Sequence, residues 1–140
     1  MTIRYLPAIE GLASFGAYSP ISISTGGELV AVAGQVGTSA DGSFEHGADT
    51  PHQVRAAFAN LGHALAAVGL GFEHVLKFNT FLVGRETIPD FMETRREVFA
   101  QIYPAGEYPP NTLLLVSGLV EERFVVEIEA LAVRPVGGQV

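Results

Sequence analysis

The chain has no cysteine and no tryptophan, and charged residues make up only 16% of it. Without cysteine, disulfides, thiolate nucleophiles and zinc-finger chemistry all drop out. Basic residues are scarce: eight Lys and Arg stand against fifteen Asp and Glu, for a net charge of −7, and no Lys/Arg run occurs anywhere. Neither a nucleic acid nor an anionic membrane is therefore an expected partner. No apolar stretch approaches the ~18 residues needed to cross a bilayer. The opening residues MTIRYLPAIEG lack the apolar region of a signal peptide. A cytoplasmic protein is the resulting expectation. The four histidines, His46, His52, His63 and His74, form no HxH, HxxxH or HExxH pair, so no metal site is expected. GxGxxG, phosphate-loop and GxSxG motifs are also missing.

What is present is apolar. Hydrophobic residues reach 48% of a chain of 140 residues, enough for one domain with a real core. No repeat, low-complexity tract or linker interrupts it, so residues 1–140 read as a single domain. The charge content falls well below the roughly 25% of an average protein. So apolar a surface predicts self-association.

Strand and helix periods can be read along the chain. Strands are expected near Ile3 to Ile9 and at Ile21 to Ser24. Gly26-Gly27 then reads as a hairpin turn into Glu28 to Val36. Ser39 to Ser43 is a second turn. Thr50 is placed to N-cap a helix with Pro51 in its first turn. Val54, Phe58, Leu61, Leu65 and Val68 form one apolar stripe, and Gly69 and Gly71 end it. Val75 to Val83 is β-branched and aromatic, hence strand. A second helix runs from about Pro89 to Tyr103 with Phe91, Val98, Phe99 and Ile102 on one side, and Pro104 stops it. Strands at Thr112 to Val120 and Phe124 to Val133 complete the order β-β-β-α-β-α-β-β. This is an α+β pattern, with two helices on one face of a mixed six-stranded sheet. No segment remains for the other sheet face, which leaves a second copy of the chain to cover it.

Several residues then invite a chemical reading. Glu127 and Glu129, two apart in VVEIEAL, share one strand face, while Val126, Ile128 and Ala130 take the other. A solvated outer face explains such a pair, and so does a carboxylate in a subunit cleft, where partial desolvation would raise its pKa and suit it to activate water. The spacing leaves open which of the two is used. Gly34, in AGQVG, exposes bare backbone either for close packing or for a ligand. Tyr18, in GAYS, walls either a core or a pocket. Pro109-Pro110 fixes the path into the fifth strand and aims Asn111 in a defined direction.

Taken in order, GAYS, AGQVG, Gln53, Asn60-Leu61, VLKFNTFLV, Asp90-Phe91, YPPNT and VEIEALAV resemble the YjgF/Rid proteins, the reactive-intermediate deaminases, from about Gly16 to Val133. The resemblance implies a chorismate-mutase-like fold, a homotrimer with clefts at subunit boundaries, and cofactor-free hydrolysis of enamines and imines to a keto acid and ammonia. It implies a pocket tyrosine at Tyr18, a backbone contact at Gly34 and a water-holding glutamate at Glu127. At the strand mouth it implies an arginine that clamps the substrate carboxylate. Here that position is Asn111, in PPNT where the deaminating branch reads PARS, and a small polar or thiol position two residues on is Leu113.

An amide supplies neither the charge nor the fork of a guanidinium. Arg95, where many members of the family carry an asparagine facing the cleft, is the candidate replacement, against the alternative that it is a solvent-facing charge. The expected activity is hydrolysis of a small C–N metabolite more apolar than 2-aminoacrylate, such as an aminomuconate-like ring-cleavage product. Two rivals are a non-catalytic trimer that binds a metabolite or a protein, and a purely structural trimer without a pocket.

Overall fold

The computed structural model describes residues 3–44 and 48–137, so His46 lies outside the described residues. Among the described residues, six strands and two α-helices follow one another as β1 (Ile3–Leu6), β2 (Ile21–Ser24), β3 (Glu28–Gln35), α1 (Thr50–Ala66), β4 (Val75–Val83), α2 (Ile88–Ile102), β5 (Asn111–Val116) and β6 (Val126–Arg134). This is the α+β order expected from the strand and helix periods. Short 3₁₀ turns precede β4 and α2.

Helix α1 is capped one residue earlier than Thr50. Asp49 is extended, and its carboxylate accepts from the His52 amide at 2.9 Å, while Thr50 is already helical. A carboxylate at this position also complements the helix dipole. The stripe of α1 buries Val54, Ala57, Phe58, Leu61 and Leu65. It rests on β6 and β3 and flanks α2. Phe58, Phe78 and Phe99 bring α1, β4 and α2 into one aromatic cluster, with centroids 5.6–6.0 Å apart. Burying each ring stabilises the fold by about 1.5–3 kcal/mol, with a smaller increment from the tilted and edge-to-face geometry.

The six strands do not pair as one continuous sheet. A four-stranded sheet runs β3-β6-β4-β5, with β4 and β5 parallel and the rest antiparallel, and β1-β2 form a separate antiparallel pair. The expected pairing of β2 with β3 across Gly26-Gly27 is not made. Both glycines have φ of +109°, and a methyl on Gly27 would come within 2.4 Å of the Arg134 carbonyl. The Gly-Gly turn thus carries the chain closely past the end of β6 instead of closing a hairpin. The β1-β2 pair is fastened to the sheet by side chains. Tyr5 donates to the Val75 carbonyl and Ser22 to the Leu76 carbonyl, each at 2.6 Å. Both bonds fall where the β4–β6 ladder is irregular, between Val75 and Lys77.

The sheet has two unlike faces. Val126, Ile128, Ala130 and Ala132 of β6, with Val75, Phe78, Thr80 and Leu82 of β4, are buried under the helices. The register puts Glu127, Phe81 and Leu114 side by side on the opposite face. Among the described residues no element covers that face, and Leu114 and Leu29 there are 49% and 64% exposed.

Candidate functional site

Two prolines build the entry to β5. Neither has an amide to give, so only their carbonyls bond: Pro110 accepts from Phe78 N–H at 2.9 Å and Pro109 from Ser19 N–H at 3.4 Å. The first bond starts the parallel ladder with β4. The second ties the loop carrying Tyr18 to the mouth of β5. Asn111 therefore stands opposite Phe78, and Leu113 opposite Thr80, on the helix side of the sheet. Thr80 donates its hydroxyl to Asn111 Oδ1 at 2.8 Å.

Helix α2 supplies the facing wall. Arg95 is only 3% exposed, which overturns the solvent-facing alternative. Its position explains why: Phe91, Arg95, Val98 and Ile102 are spaced four, three and four apart, so Arg95 lies within the buried stripe of α2. Its guanidinium lies over Phe91 at 5.2 Å and Phe99 at 5.8 Å, and Nη2 reaches Met92 Sδ at 3.4 Å. Nε is buried without a hydrogen-bond partner, and no carboxylate among the described residues pairs with the group. Burial lowers the Arg95 pKa to about 10, against an opposing effect of Tyr18, so at neutral pH the guanidinium keeps its charge. Gly16, at φ of +151°, makes room: a methyl there would approach Met92 Cε to 2.9 Å and Arg95 Nη2 to 3.0 Å.

Tyr18, Ile88, Met92, Arg95, Asn111 and Leu113 thus surround one cavity of about 410 Å³, within the size range of small-molecule sites. Four sequence candidates, Tyr18, Arg95, Asn111 and Leu113, meet here. Ile88, Met92 and Thr80 were not singled out from the sequence. Thr80 did carry a signal, as the lone polar residue on the inward row Phe78, Thr80, Leu82.

The other two candidates meet elsewhere. A methyl on Gly34 would lie 2.7 Å from Glu127 Cδ, so the bare glycine is what lets this carboxylate lie flat over β3. Glu129, on the same face, accepts from Asn79 Nδ2 at 3.0 Å. The Glu127 carboxylate has no protein partner among the described residues, whereas Glu129 is held. Glu127 lies on the uncovered face and Asn111 on the helix face of the same sheet. The two groups of residues therefore cannot meet within one molecule. Among the described residues no group of three or more His, Asp or Glu side chains is placed to hold a metal ion.

Comparison with known proteins bears on what such an arrangement belongs to. The family described as Endoribonuclease L-PSP matches residues 8–134. The RutC family protein YjgH of Escherichia coli is 35% identical over 105 residues, covering 74% of this chain and 76% of its own. The chain belongs to the YjgF/Rid family. The Rid-family protein YyfB of Yersinia pestis superimposes with a TM-score of 0.83 over 96% of this chain and 100% of its own, at 23% identity. TdcF of Escherichia coli, solved with bound serine, does so at 0.69 over 87% and 91%, at 24% identity. The fold is thus the chorismate-mutase-like α+β fold of Rid proteins. No helix among the described residues is long and apolar enough to cross a membrane.

Proposed function

We propose that the protein is a cytoplasmic, cofactor-free hydrolase that releases ammonia from a small enamine or imine, in a cleft completed by two copies of the chain in a homotrimer. The observation that carries this reading is the division of the candidate residues between opposite sheet faces. Gly34 and Glu127 lie towards edge strand β3, while Tyr18, Arg95, Asn111 and Leu113 gather at edge strand β5. A cyclic arrangement that lays the β5 edge of one copy beside the β3 edge of the next brings the two groups together. It also covers the exposed apolar face of the sheet. TdcF holds serine, which supports a small-molecule ligand for the shared fold.

The chemistry is hydrolysis, and it needs only water. After tautomerisation, the substrate carries a C=N bond next to its acid group. Water attacks the imine carbon while Glu127 takes its proton. With the imine nitrogen protonated at the outset, this gives a neutral carbinolamine. Glu127 returns its proton to the nitrogen and takes the hydroxyl proton as the carbinolamine collapses to a keto group, and the released ammonia carries that proton away as ammonium. Tyr18 and the Gly34 backbone orient the reacting carbon. Asn111 and Arg95 hold the acceptor oxygens of the substrate from two walls, and the charge lost at the strand mouth is restored from α2. Leu113, Ile88 and Met92 line the cavity, favouring an apolar substituent on the substrate. The low count of Lys and Arg argues against the ribonuclease chemistry in the family's description, because phosphate contacts dominate nucleic-acid affinity.

The test feeds the purified protein enamines generated in place by a lyase from several amino acids and follows ammonia and keto-acid release. Turnover above the spontaneous rate, highest for apolar side chains, is the expected result. Ligand-induced thermal stabilisation with no turnover on any substrate would replace this reading with that of a binding protein.

A further inference from the structure

The cavity beneath Arg95 contains a pattern that the reaction alone does not require. Thr80 is 1% exposed and packs on the inward row of β4 between Phe78 and Leu82, with Ile128 beside it on β6. A buried hydroxyl needs an acceptor for its proton, and the acceptor here is Asn111 Oδ1 at 2.8 Å. The bond fixes the carboxamide. Turning the amide over would set Nδ2 against the hydroxyl and leave the Thr80 proton without an acceptor. With Oδ1 occupied, Asn111 offers the cavity its Nδ2–H₂ group. Tyr18 is set in the same sense: its oxygen accepts from the Phe15 amide at 3.2 Å, leaving its own proton to donate. Arg95, on the facing wall of the cavity, can only donate. Three groups that line one space thus each have a hydrogen to give, and the two that carry an oxygen have it already engaged by the protein.

We infer that Thr80 is a positioning residue that sets the specificity of this cavity: by holding Asn111 with its amide hydrogens inward, it makes the polar end predominantly a donor, matched to a carboxylate on an apolar substituent. The inference rests on the reading of this cavity as the substrate-binding part of the cleft. Thr80 touches no substrate and acts through Asn111. A ligand that brings both a donor and an acceptor, such as a primary amide, meets one mismatched group in this arrangement. A carboxylate, with acceptors only, meets none.

Calorimetric titration of the intact protein with 4-methyl-2-oxopentanoate and with its neutral amide tests this without reference to turnover. The wild type is expected to bind the anion and to prefer it over the amide. Thr80→Val keeps the side-chain shape and removes the hydroxyl, which frees Asn111 to rotate. Its affinity for the anion should fall about tenfold, the size of one well-made hydrogen bond to a charged group, while its affinity for the amide holds. Thr80→Ser should restore the wild-type preference, and Thr80→Ala should behave as the valine variant, which guards against a folding artefact in either one. Loosening of the fold would weaken both ligands alike. An unchanged anion-to-amide preference in Thr80→Val, or a wild type that binds no anion, would overturn the inference. Anion binding without enamine turnover would instead count against the hydrolase and leave the role of Thr80 standing.

Discussion

Glu127→Gln is expected to lower turnover by a factor of about 10²–10⁴, the range lost with a general acid–base group, while KM and the melting temperature stay near their wild-type values. Glutamine keeps the length and planarity of the side chain that lies over Gly34, so packing against β3 is preserved. It cannot take a proton from water or return one to the leaving nitrogen. Glu129→Gln should have far smaller consequences, because that carboxylate is already engaged by Asn79 Nδ2. Steady-state kinetics on a lyase-generated enamine separate the two. Equal losses from both substitutions would mean that the face as a whole, not one acid, matters.

Arg95→Met is expected to damage activity and to improve stability. Its kcat/KM should fall roughly tenfold to a hundredfold or beyond, the worth of a buried charge-assisted contact. The unliganded protein should melt a few degrees higher. The guanidinium is buried with Nε unsatisfied and, among the described residues, with no carboxylate paired to it, and methionine fills similar space without that desolvation cost. The contacts with Phe91 and Phe99 return part of it, because a cation over an aromatic face contributes roughly 0.5–2 kcal/mol, which limits the gain to about 1–2 kcal/mol. A residue that weakens the empty protein yet is needed when ligand is present has the character of a functional group. Calorimetric melting alongside kinetics checks both halves. A large fall in melting temperature would make Arg95 a structural residue instead.

The order of elements was legible because each of its signals is local. The four-three-four-three stripe of α1 and the alternation of Glu127 and Glu129 with buried neighbours reported the core-facing sides correctly. Pairing was harder to read. The Gly26-Gly27 turn resembles a hairpin, yet what demands glycine at position 27 is the approach of Arg134, about a hundred residues away in sequence. The same limit applied at the site. Period two places both glutamates on one face, but only the Asn79 amide distinguishes them, and it comes from β4. The burial of Arg95 was readable after all: the gap of seven between Phe91 and Val98 has Arg95 at its centre, one turn along the same stripe. Its charge drew attention away from its position. The role given to Thr80 needed the parallel β4–β5 register, which local sequence does not carry.

The direct test of a shared cleft is subunit complementation. Glu127→Gln and Arg95→Met chains, each impaired alone, are co-expressed with different tags, and the mixed assemblies are purified through both and assayed at substrate concentrations well below KM. If Glu127 of one copy serves Arg95 of the next, every mixed trimer has one cleft in three with both sides intact, and about a third of wild-type activity should return. Mixed assemblies as inactive as either parent would contradict the account, because both side chains would then have to act from the same chain.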